Sequence, residues 1–557
     1  MTLRFELPRN RLLQGICLIL AVLLLNASVT FHNIWPTLGV HWPGELSGEL
    51  AVLLLVLALS NAWAGPTPRV LLVLLSGVIV VFALGRYADV TVSALYGRDI
   101  NLYWDAPQFV AVTGMLARVA SWWAIAAVCL GVAATLAVLY LGARWSLLQI
   151  DDALRMYAPV RWGIGVAALA LCGCFLAQQT REDALPRIPR FSIPVSRTYA
   201  AQIRRVAQAL SGRADQALPA SPPMHSSFSA LDGSDVLLVF MESYGSATYD
   251  RPEFERALQP ARERLQRAIQ DTGRGVVSAF VNSPTFGGGS VLAHLSVLSG
   301  VEVRDQDHYA LLMTQKRPTL VSLFKGAGYR AVAVMPGLRE SWPEGAFYGF
   351  DQIYGADGLD YQGPGFGWWR IPDQFSLAAL DARELQRQPR KPLFVFFPTV
   401  STHMPFEPIP PLQPDWQRML SAQPFDAEPL RRSLTQTPQW TDMGKAYVSS
   451  VSYFLDTLSS YLRARPNGRF VVIILGDHQP AANVSGEGAS WDVPVHVIAS
   501  APAILQSLQA DGFRPGLVPL RPTAGKMSDL APWTLTAFGE AAHARRARLA
   551  LTTTRVP

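Results

Sequence analysis

Five apolar runs before residue 180 constrain this chain more than any other feature; they occupy about 12–31, 46–64, 70–88, 121–142 and 163–178. Each approaches the ~20 apolar residues a helix needs to cross a bilayer. Inside lipid the backbone must satisfy its own polar groups, so each run is expected to be helical. A basic start (Arg4, Arg9, Arg11) precedes the first run, as in a signal peptide. That run is long and further runs follow, which reads as an uncleaved anchor. The expectation is a transmembrane domain of five helices over residues 1–180.

Loop charges set an orientation. Loop 32–45 has no Lys or Arg, Arg69 follows the second run, and Arg144, Arg155 and Arg161 follow the fourth. The positive-inside rule then places the N-terminus in the cytoplasm. Five crossings deliver everything after Gln178 to the outer face. The loop after the third run fits least cleanly, because Arg86, Arg98 and Arg118 sit there with Asp89, Asp99 and Asp105. Within it, 107–119 reads as a short amphipathic helix in the membrane interface.

The chain is 50% hydrophobic and only 16% charged, and the apolar excess is confined to these runs. The net charge of +6 is carried mainly by Arg and suits an anionic membrane surface. No dense basic run points to nucleic acid. Cys17, Cys129, Cys172 and Cys174 all lie in apolar runs. The polar remainder therefore has neither a disulfide framework nor a thiolate metal site.

Residues 181–231 are punctuated by Pro186, Pro189, Pro194, Pro219, Pro222 and Pro223 and read as a juxtamembrane tether with one helix over 198–210. From residue 232 the pattern alternates. Strands are expected at 236–240, 275–281, 330–335, 393–397, 469–475 and 493–499. Helices are expected at 253–269, from 290, and at 318–328, 375–386 and 447–463. This predicts an α/β domain over 232–540 with a mostly parallel sheet and helices on both faces. An Arg-rich tail, 541–557, follows.

In such sheets sites form beyond the carboxyl ends of strands. Glu242 follows the first strand, Thr399, Ser401 and His403 follow the fourth, and Asp477 and His478 follow the fifth. Gly287, Gly288 and Gly289 lead into Ser290, after which Leu292, Leu295 and Leu298 recur at helical spacing. Ser290 is thus expected as the N-cap of a helix, near any anion its N-terminus binds. Alone, Ser290 would be only a cap, Glu242 a carboxylate bonded to a loop, and His403 a ring satisfied by backbone. Together, Glu242, Asp477 and His478 form a mixed oxygen and nitrogen set suited to one Zn or Mn ion, with Ser290 as fourth ligand. A divalent cation activates a serine hydroxyl, and His403 is placed to protonate a leaving alkoxide or hold a phosphoryl oxygen. His294, one turn beyond Ser290, is expected behind the ligands. His308 and His496 are expected to be structural. Trp342, Trp368, Trp369 and Arg370 either shape a sugar or headgroup pocket or simply pack.

This architecture resembles the membrane-anchored branch of the sulfatase/alkaline phosphatase superfamily, which includes lipoteichoic acid synthase, phosphoglycerol transferases of periplasmic glucans and phosphoethanolamine transferases of lipid A. Four motifs carry the resemblance. Phe240-Met241-Glu242-Ser243 is similar to the family's first metal carboxylate, and Leu475-Gly476-Asp477-His478 to its closing metal pair. Ser290, ten residues before Gly300, is similar to the nucleophile at its helix start. Thr399 to Phe406 is similar to a Thr-x-Ser-x-His-x-Pro-Phe motif whose His contacts substrate phosphate. Met335-Pro336, Arg339 and Trp342 partly echo a substrate pocket, so the resemblance implies Arg339, Trp342, His403 and His294 as substrate-binding. There are departures. The branch usually has Thr as nucleophile; Thr285 is a rival to Ser290, but lies five residues too far from Gly300. No Cys occupies position 290, so no formylglycine forms there.

The implied function is a metal-dependent transferase. Ser290 would attack a phospholipid headgroup phosphate, release diacylglycerol and pass phosphoglycerol or phosphoethanolamine to an envelope glycan or lipid. The alternative is a phosphate- or sulfate-ester hydrolase on the same site. The implied location is the bacterial cytoplasmic membrane with the catalytic domain outside. Envelope-assembly proteins are possible partners, and nucleic acid is not.

Overall fold

The computed structural model describes residues 11–34, 37–106, 113–114, 122–180, 190–211, 218–339, 342, 344–367, 369–437, 439 and 442–539. Most of the expected interfacial helix 107–119, Trp368 and the tail 541–557 lie outside the described residues. The chain divides into two compact units, one of Met1–Ala94 and Arg98–Arg213, the other of Leu95–Gly97 and Ala214–Pro557.

The first unit is helical: α1 (Arg11–Thr30), α2 (Gly48–Trp63), α3 (Arg69–Tyr96), α4 (Trp122–Met156), α5 (Ala158–Thr180) and α6 (Val195–Ser211). Among the described residues four helices are long and apolar enough to cross a membrane: Leu12–Thr30, Arg69–Tyr96, Trp122–Met156 and Ala158–Gln179. The second expected span differs. Gly48–Trp63 has 16 residues, which at the helical rise is about 24 Å, short of the ~30 Å hydrocarbon core. Ser47 caps it by accepting the Leu50 N–H, and Glu49 occupies its first turn. The chain therefore enters this helix later than the apolar run begins. Leu25, Leu54, Leu147 and Leu154 form the unit's core. Buried Asp151 is paired with Arg155 and accepts from Asn61, so the charge inside the bundle is compensated. Helix α6, longer than the expected 198–210, packs within this unit. Its Tyr199 stacks on Phe82 at 5.9 Å and donates to the Val81 carbonyl at 2.7 Å.

The second unit is α/β, as the alternation predicts. Its strands are β1 (Asp235–Met241), β2 (Gly275–Asn282), β3 (Arg330–Val334), β4 (Gln352–Tyr354), β5 (Leu393–Pro398), β6 (Phe470–Gly476), β7 (Asp492–Ala499), β8 (Arg514–Pro515) and β9 (Gly525–Lys526). They form one sheet in the order β8-β2-β7-β6-β1-β5-β3-β4, with β9 also on β2. The centre is parallel, β6, β1, β5, β3 and β4 running together, whereas β7 is antiparallel to both β6 and β2. Alternate residues of β1 feed opposite cores. Leu237, Val239 and Met241 pack with α7 (Pro252–Asp271) and α8 (Gly444–Ala464), whereas Val236, Leu238 and Phe240 pack with the helix beginning at Ser290. Burial on both faces explains why these strands read as continuous apolar runs.

Candidate active site

Register brings the first two carboxylates together. Strands β1 and β6 are parallel neighbours with Met241 opposite Gly476, so Glu242 and Asp477 leave the sheet side by side. The chain must then turn at once. Ser243 adopts a left-handed φ of 56°, its carbonyl accepting from the Tyr447 hydroxyl at 2.8 Å. A Cβ at Gly476 would overlap the Tyr244 carbonyl, so the residue before Asp477 has to be glycine.

Loop 283–289 carries Ser290 to the same place. Ser283 donates to the Asp477 carbonyl at 2.6 Å, and the Gly287 N–H donates to the Gln479 carbonyl at 3.1 Å. Gly287, Gly288 and Gly289 all have positive φ, and the Thr285 hydroxyl closes their turn by donating to the Gly288 carbonyl. One expectation is corrected here. Gly289, not Ser290, is the N-cap of the helix Ser290–Ser299, and Ser290 is its first residue. A left-handed cap with no side-chain oxygen leaves the serine hydroxyl free of capping duty. Ser290 Oγ instead donates to Glu242 Oε2 at 3.2 Å and lies 3.2 Å from His478 Nε2.

Burial and mutual charge shift all three titratable side chains of this group. Asp477 is fully buried, and burial, with the Glu242 charge, pushes its carboxyl up to about 7. Burial likewise raises Glu242, but the fields of His403 and His478 outweigh it and hold the carboxylate well below its usual range. Burial lowers His478, and Asp477 and Glu242 reverse this, raising the ring to about 9. Asp477 Oδ1 accepts from the backbone of Ser243 and His478, while buried Oδ2 has no hydrogen-bond partner. His478 Nδ1 lies 2.7 Å from the Gln479 carbonyl, which fixes the proton there and leaves Nε2 for a ligand when the ring is neutral. Glu242, Asp477 and His478 each offer an atom within 4.8 Å of the others. An orphaned carboxylate oxygen beside an imidazole nitrogen and a second carboxylate fits one divalent cation.

The other candidate residues take separate places. His403 stands after β5 with Nδ1 2.7 Å from the Met404 carbonyl and its ring edge-on to Trp369 at 4.5 Å. His294 is wedged between Phe240 and Phe396 at 4.4 and 5.3 Å; its Nε2 has no hydrogen-bond partner and burial lowers its pKa to about 3. Arg339 lines a cleft with Trp369 and Arg370, whereas Trp342 stacks on Tyr348 at 5.4 Å. His496 bonds Ser278 and Tyr244 inside the core, and His308 pairs with Asp305. Sequence reasoning missed Asp373. Fully buried, it accepts the N–H groups of Val400 and Ser401 at 2.9 Å each and so sets the turn that carries His403. Its only sequence signal is an acidic residue at the start of a helix after Pro372.

No curated protein sequence matches the chain. Among solved structures it is similar to an alkaline phosphatase superfamily protein from Vibrio parahaemolyticus (16% identity, 58% of this chain and 69% of that one, TM-score 0.35). It is also similar to the lipoteichoic acid synthase LtaP from Listeria monocytogenes (15%, 60% and 80%, TM-score 0.34). A third is the periplasmic domain of EptC from Escherichia coli (13%, 57% and 84%, TM-score 0.35). Residues 234–500, which hold Glu242, Ser290, His403, Asp477 and His478, match the Sulfatase family model.

Proposed function

We propose that this chain is a membrane-anchored transferase that moves a phospholipid-derived headgroup, phosphoglycerol or phosphoethanolamine, through a phosphoserine at Ser290 to an envelope glycan or lipid. The observation that supports it is the position of Ser290 Oγ, 3.2 Å from both Glu242 Oε2 and His478 Nε2 and at the first turn of a helix. One divalent cation, Zn or Mn, held by Glu242, Asp477, His478 and Ser290, would lower the hydroxyl's pKa and offset phosphoryl charge. Ser290 Oγ, its hydroxyl proton released to solvent, attacks phosphorus, and the bond from phosphorus to the diacylglycerol oxygen breaks. His403 gives that oxygen its proton. The N–H groups at the start of this helix, apart from that of Leu292, which donates to the Gly289 carbonyl at 2.9 Å, would face the phosphoryl oxygens. In the second half-reaction an acceptor hydroxyl attacks the phosphoserine phosphorus, His403 takes its proton, and the bond from phosphorus to Ser290 Oγ breaks, the serine regaining a proton from solvent.

The four apolar helices suit a donor that is itself a membrane lipid. The proposed location is the bacterial cytoplasmic membrane with the catalytic unit on its outer face, where envelope-assembly proteins are possible partners. The test is steady-state kinetics with phosphatidylglycerol or phosphatidylethanolamine as donor, following diacylglycerol release. Parallel double-reciprocal lines support a two-step route. Intersecting lines, or release at the same rate with and without any acceptor, favour direct transfer or hydrolysis.

A further inference from the structure

Helix α6 falls in the stretch whose prolines read as a tether, yet one of its faces is committed to the first unit. Tyr199 stacks on Phe82 and donates to the Val81 carbonyl. The Gln202 side chain accepts the Leu102 N–H at 2.8 Å and donates to the Ile100 carbonyl at 2.7 Å. Arg205 donates to the same carbonyl and pairs with Asp99. The backbone N–H of Ser196 is held by Glu49 Oε1 at 2.6 Å.

The rest of the helix carries two uncovered stripes. Ala200, Ile203, Ala207 and Leu210 recur at helical spacing, with Ile203 69% and Leu210 73% exposed. Arg197 and Arg204, seven residues apart, stand about 90° further round the helix. Both are exposed and, among the described residues, neither side chain has a partner. The helix itself contains no Asp or Glu.

Depth decides what covers the apolar stripe. Val81 and Phe82 lie in the uncharged stretch 70–85 of α3, a helix long and apolar enough to cross a membrane. Gly85 admits the ring of Tyr199 there, since a Cβ would overlap it. On the same α3 stretch Val78, Val81 and Leu84 are exposed. The start of α6 is thus seated at hydrocarbon depth, and its uncovered stripe continues the apolar surface of α3. Further along, Gln202 anchors the helix to exposed Leu102, which is followed by Tyr103 and Trp104 with their rings edge-on at 4.8 Å. Such aromatics are enriched where membrane meets water. An apolar stripe flanked by arginines is the pattern of a helix lying in that interface. We propose that α6 is embedded in the membrane interface, with Ile203 and Leu210 among acyl chains and Arg197 and Arg204 binding the phosphate of an anionic phospholipid.

This inference needs only the membrane-spanning reading of the first unit and is independent of the reaction catalysed. Full-length protein carrying the photo-crosslinker p-benzoylphenylalanine in place of Ile203 is reconstituted into nanodiscs of equal phosphatidylethanolamine and phosphatidylglycerol, irradiated and read by peptide mass spectrometry. The same probe in place of Val128, an exposed residue of α4, serves as the lipid-facing control. Phospholipid adducts are expected at both positions. Adducts at 128 without any at 203, or adducts at 203 to protein, overturn the proposal. At 203 phosphatidylglycerol is expected to exceed its share at 128. Arg197→Gln together with Arg204→Gln should lower that excess about threefold or more, and Arg197→Lys with Arg204→Lys should retain it. Equal shares at the two positions in wild type, or an excess unchanged by the glutamines, overturn the phosphate assignment.

Discussion

Asp477 Oδ1 accepts the backbone N–H of Ser243 at 2.8 Å. That bond ties the loop after β6 to the loop after β1, and it divides the work of one side chain. Oδ1 holds the two loops in register, and buried Oδ2 is left for a ligand.

Asp477→Asn therefore separates cation binding from folding. The amide retains an oxygen for Ser243 but loses the charge. Saturating Zn or Mn at about 100 times its dissociation constant is expected to stabilise the wild-type protein by about 2.7 kcal/mol. The variant is expected to show little or none of this. Thermal unfolding with and without chelator checks it. An equal metal-induced shift in both proteins would remove Asp477 from the ligand set.

Thr285 braces the glycine turn through its bond to the Gly288 carbonyl, so its part is to position Ser290. Thr285→Val keeps the shape and removes that bond, at a net cost of about 1 kcal/mol. Slower donor turnover is expected, with any phospho-adduct still on Ser290, and Thr285→Ser should restore the rate. Peptide mapping that finds the adduct on Thr285 would reverse the assignment.

Asp373 should make stability depend on pH. Burial raises its carboxyl to about 6, against the lowering effect of the Val400 and Ser401 N–H groups. A folded pKa above the unfolded value means that the folded state holds the proton more tightly. Its contribution is complete below the unfolded carboxylate value, near pH 4, and is lost as pH rises through about 6, amounting to roughly 3 kcal/mol at most. The stability of wild type minus that of Asp373→Asn should accordingly fall between pH 4 and pH 7. Parallel profiles from chemical denaturation would contradict the assignment.

The helix Gly48–Trp63 decides the topology. With a cytoplasmic N-terminus, an outer catalytic unit needs an odd number of crossings, and the four long apolar helices supply an even one. The short helix is then expected to cross as the fifth, with the bilayer thinning locally around its ~24 Å. Reporter fusions after residues 45, 66 and 218 test this. The expected order is outside, inside, outside, and the same side for the first two would refute it.

Much of the candidate site was legible because the two central strands that carry it, β1 and β6, are continuous apolar runs with polar residues only at or just past their ends. The run 236–240 lies within Asp235–Met241, and 469–475 nearly coincides with Phe470–Gly476, so Glu242, Asp477 and His478 stood out as polar residues just past a strand's carboxyl end. Strand order was not legible. The pairing of Met241 with Gly476 links residues far apart in sequence, and no local pattern encodes it. The short strands Gln352–Tyr354, Arg514–Pro515 and Gly525–Lys526 are too brief to show a period. Asp373 was missed because its partners are backbone amides of a distant turn. The cap was misassigned because a serine at a helix start reads as N-cap, whereas glycine with positive φ takes that position here.

The central claim is that Ser290 carries the phospho-group. Purified protein incubated with metal and isotopically labelled phosphatidylglycerol or phosphatidylethanolamine, quenched in acid and digested, is read by mass spectrometry over the Ser290 peptide. A phosphoglycerol or phosphoethanolamine mass is expected on Ser290, disappearing on addition of acceptor and absent from Ser290→Ala. Donor turnover by Ser290→Ala at the wild-type rate would contradict it.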